Sequence, residues 1–233
     1  MSHIVGKGQC ATCGIRHLSI FSEVADVSSE DIRSFHPSVT VYERDETIYR
    51  QQDEARNAFT LRRGVVKLTK MLPNGRSQII RLLRKGDLFG FDGFAGESYN
   101  HTAIALTDIE VCRLPLNELI ALKEQNREIE QAMTMRWIQD LREAEDMMLE
   151  LGAKKAGERL ASFLVRWCGD KGEWQELPLS RSEMGELLGL TIETVSRFLS
   201  DWKRKGLIDE QRGSMRVLNV QSLRDQVCMT GSC

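Results

Sequence analysis

The chain has 233 residues, 28% of them charged and 41% hydrophobic, with a formal net charge of −2. That is long enough for two domains, and it excludes a uniformly basic nucleic-acid binder, so any such contact must come from local positive charge. No stretch approaches about 18 consecutive apolar residues, which excludes a helical membrane span, and residues 1–7 lack the apolar core of a secretory signal. A cytoplasmic location is expected, where six cysteines point to metal binding or redox chemistry rather than a disulfide framework.

Residues 1–20 read as a leader holding Cys10 and Cys13. Residues 21–122 read as a β-rich domain, with short apolar or alternating runs such as Thr47-Ile48-Tyr49, Phe59-Thr60-Leu61, Val65-Val66-Lys67-Leu68 and Gln78-Ile79-Ile80-Arg81-Leu82-Leu83. Gly64, Pro73-Asn74-Gly75, Lys85-Gly86-Asp87 and Gly90 punctuate them, and Asn and Gly tolerate the positive φ of a hairpin turn. The spacing suggests a jelly roll or small β-barrel, closed by a short helix over 116–122.

Residues 123–152 change to helical period. Met133, Trp137, Leu141, Ala144, Met148 and Leu151 follow one another at steps of four and three, the seam of a coiled coil. One buried helix in a monomer gives the same spacing; a homodimer is expected because helix-turn-helix proteins commonly read two half-sites as dimers. Met135 and Met147 lie on the same helix and read as packing residues rather than haem ligands.

Residues 153–233 carry the most specific signal. After a helix over about 153–168, whose Cys168 reads as a packing residue, Ser180 and Glu183 form an S-x-x-E capping box that starts a first helix. Gly189 suits a left-handed turn, and Thr191 is an N-cap for a second helix. Ile192, Val195, Leu199 and Trp202 fall on one stripe, facing a core. Glu193, Ser196, Arg197, Ser200 and Arg204 fall on the opposite face, where Arg can pair with guanine, Glu can accept from cytosine and Ser can meet several base edges. Ser180 and Arg181, at the start of the first helix, join the candidate DNA contacts with Thr191. Arg197, Lys203, Arg204, Lys205, Arg212 and Arg216 outweigh Asp201, Asp209 and Glu210 locally. The runs over 207–210 and 216–220, flanking Arg212-Gly213-Ser214, read as a hairpin, giving a winged helix-turn-helix that binds double-stranded DNA. No catalytic constellation is present, so an enzyme is not expected.

Three segments recur in one known architecture: Gly86-Asp87-Leu88-Phe89-Gly90-Phe91-Asp92, Glu145-Asp146-Met147-Met148-Leu149-Glu150-Leu151 leading into Lys154-Lys155-Ala156-Gly157-Glu158-Arg159-Leu160, and Leu188-Gly189-Leu190-Thr191-Ile192-Glu193-Thr194-Val195-Ser196-Arg197. With the order β-roll, long helix, winged helix-turn-helix, nearly the whole chain resembles the CRP/FNR superfamily of dimeric bacterial transcription regulators, in particular its FNR (fumarate and nitrate reduction regulator) branch. The resemblance implies an α+β fold with a cyclic-nucleotide-binding-like β-roll, a TTGAT-N4-ATCAA-like operator read by Glu193, Ser196 and Arg197, and RNA polymerase as a partner.

It also frames the signal. Members that bind cyclic AMP hold its ribose with a Glu and its phosphate with an Arg-Ser pair. The matching stretch is Gly96-Glu97-Ser98-Tyr99-Asn100-His101-Thr102-Ala103, where His101 stands in place of the Arg, and cyclic AMP is not expected. A regulatory module that binds cyclic nucleotide would show the reverse, an intact Arg-Ser pair and no winged helix. FNR-branch oxygen sensors hold a [4Fe–4S] cluster with three leader cysteines and one from the roll. Cys10, Cys13 and Cys112 match three of these, while Ser19 occupies the fourth position, with His17, Cys228 or Cys233 as other candidates. Three readings stay open: a cluster sensitive to oxygen or nitric oxide with one atypical ligand, a thiol switch between leader cysteines or from the leader to Cys112, or a vestigial leader in a regulator that senses another ligand or nothing.

Overall fold

The computed structural model describes residues 2–8, 13–19, 35, 37–96 and 98–228, with side chains to residue 225. Cys10, Glu97, His36, Cys233 and the Cys228 side chain lie outside the described residues. The chain forms two compact units, Met1–Arg142 and Glu143–Cys233.

The first unit is a β-roll of two antiparallel sheets. One has the order β1 (His3–Lys7), β2 (Ser38–Tyr42), β9 (Ile109–Pro115), β4 (Asn57–Arg63), β7 (Leu88–Phe89); the other has β3 (Thr47–Tyr49), β8 (Thr102–Ala105), β5 (Val66–Met71), β6 (Ser77–Leu83). The expected hairpin joins β5 and β6. Gly75 adopts φ +81°, its amide donates to the Leu72 carbonyl at 2.9 Å, and the Leu72 amide donates to Arg76 at 2.8 Å. Between the sheets Tyr49, Phe59, Phe89 and Tyr99 stack with Leu61 and Val111 in one apolar cluster. A second cluster, around Cys112, Leu88 and Leu114, is completed by α1 (Leu116–Gln125) and the start of α2.

Helix α2 spans Arg127–Ala153. The Asn126 side chain caps it, accepting from the amides of Glu128 at 3.0 Å and Ile129 at 3.1 Å. Its early turns bury Ile129 and Met133 against the roll. Arg136 then pairs with Asp87 at 2.7 Å, and Asp140 with Arg81 at 2.6 Å. Met133 therefore departs from the expected seam. Helical spacing fixes which side a residue faces, but the roll already covers that side over the first two turns. Further along, Trp137, Leu141, Ala144 and Met148 are exposed, with Met148 73% accessible, while Leu151 is half-buried near Gly189.

The second unit contains α3 (Ala156–Cys168), α4 (Arg181–Leu188), α5 (Ile192–Arg204) and α6 (Val220–Cys228), with a sheet of order β10 (Gln175–Glu176), β12 (Ser214–Val217), β11 (Ile208–Gln211). Helix α3 starts at Ala156 rather than 153, because Glu158 reaches back to the Lys155 amide at 2.9 Å and sets the boundary. It buries Leu160, Leu164 and Cys168, the last as expected. The α+β class read from the sequence is the class of the fold.

Candidate functional site

The helix-turn-helix is built by local hydrogen bonds. The Glu183 carboxylate accepts from the Ser180 amide at 2.8 Å, and the Glu183 amide donates to the Ser180 hydroxyl at 3.2 Å, so the capping box forms as written. Gly189 ends α4 in the left-handed region at φ 62°. The Leu190 amide donates back to Gly185 at 2.9 Å, and any side chain at Gly185 would sit 2.5 Å from the Leu190 carbonyl oxygen. This close crossing holds the turn. The Thr191 hydroxyl then accepts from the Thr194 amide at 3.3 Å and starts α5.

Val195, Leu199 and Trp202 of α5 are buried, whereas Ile192 is 47% exposed. The stripe argument misplaces Ile192 because helical angle selects a face without showing how far along the helix the core extends. On the other side, Glu193, Arg197 and Ser200 are exposed and Ser196 is half-buried. The Glu193 carboxyl is held below the usual range by its own backbone amide and then the Thr191 hydroxyl, so it is ionised and accepts hydrogen bonds only. Arg197 has no carboxylate partner among the described residues; its guanidinium lies 5.5 Å from the Phe198 ring centre.

The other candidate cations are engaged. Arg181 grips Glu210 of β11 through both carboxylate oxygens, at 2.7 and 2.8 Å. Arg204 pairs with Asp201 at 2.6 Å, as does Lys205 at 2.8 Å. Arg216 pairs with Asp209 at 2.9 Å and lies over the Trp174 ring at 4.5 Å. The three acidic residues that weaken the local basic balance are thus neutralised from within the unit, and Arg197 stays free to act on a ligand. Arg212, at the exposed turn between β11 and β12, is a second such cation. It was counted in the charge balance but missed as a site residue, although Arg-Gly between two short strands is a readable signal for a wing tip.

In the roll, the place expected for a phosphate-binding Arg holds His101. Its Nε2 lies 2.7 Å from the Tyr49 hydroxyl and its Nδ1 3.7 Å from the Asp92 carboxylate. Burial pushes its pKa down, with Asp92 opposing in part, so the ring is neutral near pH 7. Tyr99 stacks on Tyr49 at 3.7 Å and donates its hydroxyl to the Asn57 carbonyl at 2.7 Å.

Two of the expected cysteine ligands come together. Cys13 is half-buried and Cys112 is 7% exposed, and one nitrogen of Arg62 lies 3.6 Å from the Cys13 sulfur and 4.0 Å from that of Cys112. Arg62 also bridges to Glu110. Burial pushes the Cys112 thiol up, and Arg62 opposes the shift. Sequence reasoning missed Arg62, which sits on β4 with no local mark of this role. Ser19 donates its hydroxyl to the Arg16 carbonyl at 2.8 Å, and with His17 it lines a groove beside α2 instead of joining the sulfurs. Among the described residues no three His, Cys, Asp or Glu side chains form a metal-holding group. A cuboidal cluster takes four thiolates, of which the described residues supply Cys13 and Cys112, while Cys10 lies outside the described residues.

Residues 39–126 match the cyclic nucleotide-binding domain family, and residues 158–226 the Crp-like helix-turn-helix domain family. The chain is 30% identical over 223 residues to the transcriptional activator protein anr of Pseudomonas aeruginosa, covering 91% of this chain and 90% of that protein. It is 31% identical over 227 residues to the transcriptional activator protein FnrA of Stutzerimonas stutzeri, with 91% and 90% covered. The structure of FixK2 from Bradyrhizobium japonicum superposes with a TM-score of 0.74 at 32% identity, covering 81% of this chain and 96% of that one. No helix of the described residues is long and apolar enough to cross a membrane. With relatives that are regulators rather than enzymes, this chain belongs to the CRP/FNR family of DNA-binding transcription regulators.

Proposed function

We propose that the protein is a homodimer that reads a TTGAT-N4-ATCAA-like inverted repeat, one half-site per recognition helix. Glu193, Ser196 and Arg197 read base edges, while Thr191, Ser180, Arg181, Ser200 and Arg204 border the same face toward the backbone phosphates. The observation that carries this is the Arg197 guanidinium, without a carboxylate partner among the described residues, one turn from the ionised Glu193, while Asp201, Asp209 and Glu210 are each paired with other cations. The chain divides by role into a cysteine-containing leader (1–20), a roll (21–122), a dimerisation helix (123–152) and a winged helix-turn-helix (153–233). Exposed Trp137, Leu141, Ala144 and Met148 support pairing along α2, since such a stripe is costly to leave in water. Relatives that carry the word activator in their names support activation through RNA polymerase. The signal is redox in kind, received at the leader and roll cysteines, where Cys10, Cys13 and Cys112 would supply three of the four thiolates of a [4Fe–4S] cluster.

The test is fluorescence anisotropy with a labelled duplex carrying the repeat, against duplexes with one or both half-sites scrambled. Binding of two chains per intact duplex, with a Kd of about 10⁻⁸ M or below at physiological salt, is expected. Equal affinity for the scrambled duplex would remove the operator assignment.

A further inference from the structure

We infer that Phe198 is a positioning residue for base reading: its ring, seated against Gly157 of α3 and Trp202 of α5, carries the Arg197 guanidinium in the free protein and sharpens discrimination at the base pair that Arg197 meets. The effect on DNA rests on the operator reading above; the ordering of the arginine does not.

An arginine that reads a base loses rotamer freedom at the moment of binding, and ordering it beforehand removes part of that cost. What does the ordering matters. A carboxylate of the same unit competes with the base for the N–H donors, whereas a ring face attracts the cation and takes none of them. The carboxylate placed to capture Arg197 is Asp201, four residues on along α5. It is already occupied, by Arg204 at 2.6 Å and Lys205 at 2.8 Å, and these two cations, Lys205 first, hold its pKa down. The Arg197 guanidinium lies instead 5.5 Å from the centre of the Phe198 ring, inside the roughly 6 Å over which a cation is drawn to an aromatic face. Arg197, Phe198, Ser200, Asp201 and Arg204 line one shallow hollow on this flank of the helix.

The ring itself is held from two sides. Phe198 is half-buried, on the flank of α5 between the buried Val195, Leu199 and Trp202 and the exposed Glu193, Arg197 and Ser200. Its centre lies 5.4 Å from that of Trp202, with the planes 36° apart, and Trp202 is fixed in the core at 2% exposure. On the other side α3 passes close by. A methyl at Gly157 would stand 3.1 Å from both Cε1 and Cζ of the Phe198 ring. Gly157 lies in the first turn of α3, where glycine weakens a helix relative to alanine, so the position serves the approach of the ring rather than the helix. A residue needed only to fill this space could be leucine; what leucine lacks is the negative face that holds a cation.

Phe198→Leu keeps the apolar bulk and should fold. A parallel series places phenylalanines with one, two and three ring fluorines at the same position, which nearly keeps the shape and drains the negative face in steps. Each full-length protein is titrated by anisotropy against the inverted repeat and against duplexes with single base-pair changes. In the free protein the Arg197 Nε–H group, assigned by its loss in Arg197→Lys, is followed by nitrogen-15 relaxation. For Phe198→Leu, discrimination at the base pair that Arg197→Ala also relaxes should fall roughly 2- to 5-fold, with the other base pairs and the salt slope unchanged. The fluorinated proteins should step between the wild type and Phe198→Leu, and the Nε–H group should gain mobility in the same order. In an Arg197→Ala background Phe198→Leu should change discrimination no further. An equal loss at every base pair, a flat fluorine series or an unchanged Nε–H mobility would each overturn the inference. Wild-type protein that ignores the inverted repeat sinks the operator reading alone, because the Arg197 relaxation across the fluorine series still judges the ring.

Discussion

Arg197 leaves the recognition helix without a carboxylate partner among the described residues, whereas Arg181, Arg204 and Arg216 are each tied to one. An arginine already paired within its own unit gives up that pair before it can grip a base, so the proposed operator reading assigns most of the sequence discrimination to Arg197. Arg197→Ala is expected to weaken binding by roughly 1–3 kcal/mol and to relax preference at one base pair. Arg212→Ala, at the wing tip, should instead weaken binding evenly across sequences and lower the salt slope by about one, the pattern of a phosphate contact. Titrations against duplexes carrying single base-pair changes separate the two. An even loss for Arg197→Ala would take base reading away from it. His101 makes a different prediction. Burial holds its pKa in the fold below the ordinary 6.5, so the unfolded chain binds the proton more readily. The stability due to the neutral ring is present above about pH 6.5 and is lost as pH falls through the lower folded value. Urea midpoints for the wild type should therefore fall between pH 7.5 and 5.5 more steeply than those for His101→Gln, and parallel curves would show that the ring does not titrate there.

The turn between α4 and α5 depends on Gly185 as much as on its caps. Gly185→Ala places a methyl 2.5 Å from a backbone carbonyl that cannot rotate away, so α5 must shift. A loss of roughly 1–3 kcal/mol in the winged unit is expected, with weaker operator binding; a thermal melt unchanged by the substitution would show that the crossing is looser than its geometry. Here the sequence was readable, because capping and turn chemistry act between residues three to five apart. Ser180, Glu183, Gly189 and Thr191 announce the elements they form. The β5–β6 hairpin was readable at Pro73-Asn74-Gly75 for the same reason. What local pattern could not convey was tertiary. Ile192 has the helical angle of a core residue but sits beyond the end of the core. Met133 fits a coiled-coil spacing but is covered by the roll of its own chain. Arg62 lies far in sequence from both cysteines, and only the tertiary fold brings it within 4.0 Å of both sulfurs.

Across the whole molecule, α2 divides its apolar residues between two tasks. Ile129 and Met133 are used by the roll, held there by the Arg136–Asp87 and Arg81–Asp140 pairs. Trp137, Leu141 and Met148, on later turns, are 37%, 59% and 73% exposed and find too little cover in their own chain. A helix fully occupied by its own roll would have no reason to keep that stripe, and a free coiled coil would not have buried Met133. The arrangement suits a helix anchored at one end and paired with a second copy along the rest. Leu141→Glu adds a charge to the stripe where two copies would meet, yet the residue is exposed in the single chain, so folding should survive. The expected result is a chain with wild-type thermal unfolding of the roll, a monomer by sedimentation at micromolar concentration, and operator affinity reduced by a hundredfold or more as the two half-sites lose their linkage. A Leu141→Glu protein that sediments as a dimer and keeps its affinity would move the subunit interface off α2 and leave the exposed stripe for another partner.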